Sequence, residues 1–122
     1  MAKNIMVVDD SASLRQVVAI ALKGAGYDVT EACDGKDALS KLNGQKVHLV
    51  ISDVNMPNMD GITFVKELKK NPSYKFTPVI MLTTESQEGK KKEGQAAGAR
   101  AWAVKPFKPE QMLSAVAKLI MP

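Results

Sequence analysis

Four short apolar runs stand out along the chain: Ile5-Met6-Val7-Val8, Leu49-Val50-Ile51-Ser52, Val79-Ile80-Met81-Leu82 and Trp102-Ala103-Val104. Nearly continuous apolar runs of this length read as strands covered on both faces, as in a parallel sheet. A fifth segment, Asp28-Val29-Thr30-Glu31-Ala32, alternates polar and apolar and predicts a less buried strand near an edge. The intervening segments carry helical spacing. Ser11 or Ser13 caps the first, whose inward positions are Leu14, Val17, Val18, Ala21 and Leu22, and Gly26 supplies its stop. A short helix after Gly35 turns Ala38, Leu39 and Leu42 inward. A third begins near Gly61, is capped by Asp60 and buries Ile62, Phe64, Val65 and Leu68, before Asn71-Pro72-Ser73 breaks the chain. A fourth runs from about Ser86 to Ala97; Gly89 and Gly94 make it the loosest. The last starts near Pro109 with Met112, Leu113, Val116, Leu119 and Ile120 on one face. Strands alternating with helices predict an α/β fold, with residues 1–122 forming one domain.

Composition narrows the class. The chain has 122 residues, 45% hydrophobic and 25% charged, which excludes a disordered chain. No apolar stretch approaches the ~20 residues of a membrane span. Met1-Ala2-Lys3-Asn4 leads directly into a strand, so no signal peptide is expected. The single cysteine, Cys33, excludes an internal disulfide and fits a reducing, cytoplasmic setting. The net charge of +4 raises nucleic acid as a partner. However, the basic residues are dispersed without interleaved aromatics, and Lys90-Lys91-Lys92 is flanked by Glu88 and Glu93, as on a solvated helix face. Neither nucleic acid nor membrane is expected to bind.

The chemistry gathers at the strand ends. Asp9 and Asp10 follow the first run, Asp53 the second, Thr83 and Thr84 the third, and Lys105 the fourth. In an open α/β sheet, ligands bind outside the carboxyl ends of the strands, where the topology switches. Any one of these residues alone reads as a turn or cap residue. Their conjunction does not, because three like charges are unfavourable together without a cation. A metal such as Mg²⁺ takes hard oxygen ligands and retains several waters. Asp9, Asp10 and Asp53 supply such ligands. Asp53 is also a carboxylate nucleophile able to accept a phosphoryl group as a mixed anhydride. Thr83 and Lys105 then stand where they can donate to the new phosphoryl oxygens.

These residues closely resemble the receiver domains of bacterial two-component systems, over the whole chain. The matching motifs are Val7-Val8-Asp9-Asp10, Asp53-Val54-Asn55-Met56-Pro57-Asn58-Met59-Asp60-Gly61 and Lys105-Pro106-Phe107. The resemblance implies a doubly wound, flavodoxin-like parallel sheet of strand order 2-1-3-4-5 flanked by five helices. It implies phosphorylation of Asp53 by a histidine kinase, and Mg²⁺ held by Asp9, Asp10, Asp53 and the backbone carbonyl of Asn55. Thr83, Thr84 and Lys105 would serve the phosphoryl group, and the Lys105-Pro106 bond would be cis. Asn55 and Glu85 match positions that tune self-dephosphorylation. Trp102 stands where the family usually places a Tyr or Phe that turns inward on activation, coupled to Thr83. An indole is larger, and its N–H needs a partner when buried. Cys33 and His48 match nothing functional and read as structural.

Chemotaxis-type members are the nearest in pattern. They imply a monomeric phosphorylation switch fed by a CheA-like histidine kinase and reset by a phosphatase. It would act through a face made by the fourth helix, the last strand and the last helix on a flagellar motor switch protein. With Met121-Pro122 following the last helix, no output domain is expected. A phosphate sink or phosphorelay shuttle is the alternative within this class. A small aspartyl-phosphate phosphatase is the remote one: it needs a second Asp two residues after the nucleophile as general acid, and Asn55 cannot serve.

Overall fold

The apolar runs and the alternating segment become the five strands of one sheet. A computed structural model of the chain describes residues 3–83, 95–104 and 108–120. Its strands are β1 (Asn4–Val8), β2 (Asp28–Ala32), β3 (Leu49–Asp53), β4 (Val79–Thr83) and β5 (Ala101–Val104). They pair in the order β2-β1-β3-β4-β5, and every pair is parallel. β3 is therefore central, β1 lies beside it, and the alternating β2 lies at an edge. Four helices are described: α1 (Ala12–Gly24), α2 (Gly35–Leu42), α3 (Gly61–Lys70) and α4 (Pro109–Leu119). Residues 95–97 are helical as well, and the earlier part of the helix expected from Ser86 lies outside the described residues, as does Lys90-Lys91-Lys92.

Side chains alternate across each strand, so the sheet carries two cores. On one face Met6, Val8, Val50 and Met81 pack with Ala38 and Leu42 of α2 and Phe64, Val65 and Leu68 of α3. On the other, Ile5, Val7, Leu49, Ile51, Ile80 and Leu82 pack with Val18 and Leu22 of α1 and Met112 and Val116 of α4. This explains why the central strands read as unbroken apolar runs. No helix is long and apolar enough to cross a membrane among the described residues.

One inward position is corrected. Val17 is 51% exposed and Ile20 71% exposed, while Val18, Ala19 and Leu22 are buried. The sheet contact is centred on Val18 and Leu22. Successive residues turn by about 100° around a helix, which leaves Val17 at the rim. Ser11 is the cap of α1, its side chain accepting from the Leu14 N–H at 3.3 Å.

Candidate functional site

The registers bring the acidic strand ends together. Val8 of β1 pairs with Ser52 of β3, so Asp9 leaves its strand beside Asp53. One carboxylate oxygen from each of Asp9, Asp10 and Asp53 lies within 4.8 Å of the others. Asp9 is 2% and Asp53 6% exposed, whereas Asp10 faces solvent. Two unit charges at that separation repel by about 3 kcal/mol at an effective dielectric near 20. The donor set is hard oxygen throughout, which fits Mg²⁺ and not a soft metal.

Local backbone geometry aims these groups. The Ser11 N–H donates to Asp9 Oδ1 at 2.9 Å, and the Val54 N–H donates to Asp53 Oδ1 at 2.9 Å. Arg15, one turn into α1, donates from Nη1 to the Asp9 carbonyl at 2.6 Å and pairs through Nε with Glu31 at 3.1 Å. Its cation thus fixes the backbone of an acidic residue at the pocket. Thr83 ends β4 and pairs with Val104, the end of β5. The side chain of Thr83 lies outside the described residues, as do Thr84, Glu85, Lys105 and Pro106 and the expected cis bond.

The loop after Asp53 is closely tied. The Gly61 N–H donates to the Val54 carbonyl at 2.8 Å, drawing the start of α3 under the end of β3. A Cβ at Gly61 would stand 2.0 Å from the Asp53 carbonyl oxygen, so only glycine permits this approach. Asp60 caps α3 as expected, accepting from the Thr63 N–H at 2.8 Å. Between these anchors, exposed Asn55 is followed by Asn58, whose φ is 67°. Asn58 Nδ2 donates to Asp34 Oδ2 at 2.8 Å. Asp34 in turn caps α2, accepting from the Asp37 N–H at 2.8 Å. These donors, Asp37 first and Asn58 second, hold the Asp34 carboxyl below the usual range.

The sequence reading missed Arg15, Asp34 and Asn58. The Asp34-Gly35-Lys36-Asp37 pattern carried a cap signal for the first helix turn after β2. Nothing local signals the reach of Asn58 to Asp34 or of Arg15 to Asp9. Trp102 is half-buried and packs beside the core that contains Phe64 and Ala97. Its indole N–H is buried without a hydrogen-bond partner among the described residues. His48 is structural, its Nδ1 accepting from the Asn4 N–H at 3.0 Å, and Cys33 is exposed.

Residues 5–117 match the family model of the response regulator receiver domain. Protein PilG of Pseudomonas aeruginosa is 37% identical over 112 residues, covering 92% of this chain and 83% of that protein. Three other curated relatives are longer, and the chain spans only 45% to 50% of their lengths. The structure of the chemotaxis response regulator CheY4 of Vibrio cholerae is similar with a TM-score of 0.92 at 47% identity, over 98% of this chain and 100% of that one. The receiver domain of the sensor histidine kinase PA1611 of Pseudomonas aeruginosa, solved with magnesium in its active site cleft, has a TM-score of 0.89 at 24% identity, over 98% of each chain.

Proposed function

The chain belongs to the response regulator receiver domain family, and we propose that it is a phosphorylation switch whose phosphoryl acceptor is Asp53. The observation that carries this reading is the convergence of Asp9, Asp10 and Asp53 within 4.8 Å at aligned strand ends. A carboxylate oxygen of Asp53 attacks the phosphorus of a phosphohistidine on a histidine kinase. The P–N bond breaks, its electron pair stays with the imidazole nitrogen, and an aspartyl phosphate forms. Asp9, Asp10, Asp53 and the carbonyl of Asn55 are the residues that would hold Mg²⁺. When bound, that ion neutralises charge on the transferring group. Thr83 and Lys105 donate to the phosphoryl oxygens, and Asn55 and Glu85 set how long the phosphoryl group lasts. The only chemistry catalysed is the chain's own phosphorylation and dephosphorylation, because Asn55 cannot act as the general acid of a phosphatase.

The output is a protein contact. Phosphorylation biases an existing equilibrium of the surface around the 95–97 segment, β5 and α4. A cavity of about 280 Å³ lies between β4, β5 and α4, with Trp102, Ala103, Gln111 and Met112 in its wall, which supports plasticity there. The partner reading is a CheA-like kinase on input and the flagellar motor switch on output, in the cytoplasm, with the domain acting as a monomer. Similarity to CheY4 over that chain's whole length supports it.

The test uses acetyl phosphate and Mg²⁺. The wild-type chain gains one phosphoryl group by intact mass, and Asp53→Asn gains none; equal labelling of both would remove Asp53 as acceptor. Trp102 fluorescence then reports titration with an N-terminal flagellar-switch peptide, with and without beryllofluoride. Tighter binding with the mimic supports motor output. Phosphorylation without peptide binding points to a phosphate sink or shuttle.

A further inference from the structure

The loop from Asn55 to Asp60 is fixed at its two ends by the sheet and by α3. The Val54 N–H donates to the Leu82 carbonyl at 3.2 Å, and the Gly61 N–H closes on Val54. Between those ends, Met56 and Met59 pack against the core, and the hydrogen bonds that leave the loop ahead of Asp60 among the described residues reach Asp34 and Gly35. Asn58 donates to the Asp34 carboxylate, the Gly35 N–H donates to the Met59 carbonyl at 3.4 Å, and the Met59 side chain covers the Gly35 Cα. The left-handed backbone at Asn58 is one that Asn tolerates and most side chains do not. Asp34 is 7% exposed and is itself pinned by capping α2. The loop that carries Asn55 is therefore referenced to the start of α2, an element that supplies no group to the acidic pocket.

We propose that Asn58, oriented by Asp34, is a positioning residue that sets the cation affinity of the site. The proposal rests on the metal-site reading above and extends it to a residue outside the ligand set. A carbonyl on an untethered loop must be ordered each time a cation binds, at a cost in backbone entropy. The Asn58–Asp34 bond orders the loop beforehand, as partners outside the ligand shell do for metal sites generally. It also makes α2 sensitive to the occupancy of the site, since the same carboxylate holds both the loop and the helix start.

Calorimetric titration of the full chain with Mg²⁺ alone tests this. Asn58→Gly accepts the left-handed backbone and removes the side chain with its bond to Asp34, freeing the loop. Its Mg²⁺ affinity is expected to fall about tenfold, the low end for partners outside the ligand shell. Asn58→Asp sets two carboxylates face to face and weakens binding further, while Asp34→Asn with Asn58→Asp restores a donor–acceptor pair and recovers affinity. Urea unfolding without Mg²⁺ separates this from lost stability. Wild-type affinity in Asn58→Gly, whatever its stability, overturns the proposal while leaving the metal site intact. Failure of the wild-type chain to bind Mg²⁺ removes the metal-site reading and the proposal together.

Discussion

The tightest constraint on the acidic pocket is steric and falls on Gly61. Its missing side chain lets α3 begin directly against the Asp53 carbonyl, and a Cβ there would also stand 2.9 Å from the Met81 Cε. The methionine can move, but the backbone carbonyl of Asp53 cannot without displacing that residue's carboxylate from the pocket. Gly61→Ala is therefore expected to destabilise the fold by about 1–3 kcal/mol, as overpacking does, and to slow labelling by acetyl phosphate. Gly24 provides the opposite case. A Cβ there meets nothing within 4 Å, and the residue is helical, so Gly24→Ala is expected to stabilise by about 0.5–1 kcal/mol. Urea unfolding of both variants checks the pair, and equal signs would contradict the contact geometry.

At the scale of elements, the junction of β2 and α2 carries acid sensitivity. Asp34 and Asp37 are both held below the ordinary carboxylate range, Asp34 by the Asp37 and Asn58 donors and Asp37 chiefly by the Cys33 N–H. A carboxyl depressed on folding lends stability that is fully present above its unfolded value, about 3.9. That stability is lost as pH falls through the lower folded value. Asp34→Asn is thus expected to be less stable than wild type at neutral pH, with the gap closing below about pH 3.9. Urea midpoints from pH 7 down to pH 3 measure it, and a gap that widens on acidification would reverse the sign. The elements themselves were legible because a parallel sheet buries both faces, so β1, β3 and β4 announce themselves as apolar runs. The rotation of α1 was not. Val17 and Val18 are chemically alike, and only packing against the sheet decides which one is buried. The Asn58–Asp34 tie was hidden for another reason: it joins two loops distant in sequence, and neither residue shows a pattern that names the other.

For the whole molecule, strand order turns local motifs into a site. With β1 between β2 and β3, the chain winds outward in both directions from the β1–β3 pair, and Asp9, Asp10 and Asp53 emerge at that reversal. This much of the site was readable, since each acid ends a recognisable run. Three carboxylates this close repel one another, which favours binding of a cation. Mg²⁺ at one hundred times its dissociation constant is expected to add about 2.7 kcal/mol by mass action. For a domain of this size that raises the melting temperature by roughly 8–15 °C. Asp10→Ala is the informative variant, because its side chain faces solvent and its removal leaves both cores untouched. Without Mg²⁺ it should melt at or above the wild-type temperature, because one repelling charge is gone. With Mg²⁺ the rise should disappear. Thermal scans of both chains with and without the ion measure the two effects, and a full rise in the variant would take Asp10 out of the metal site.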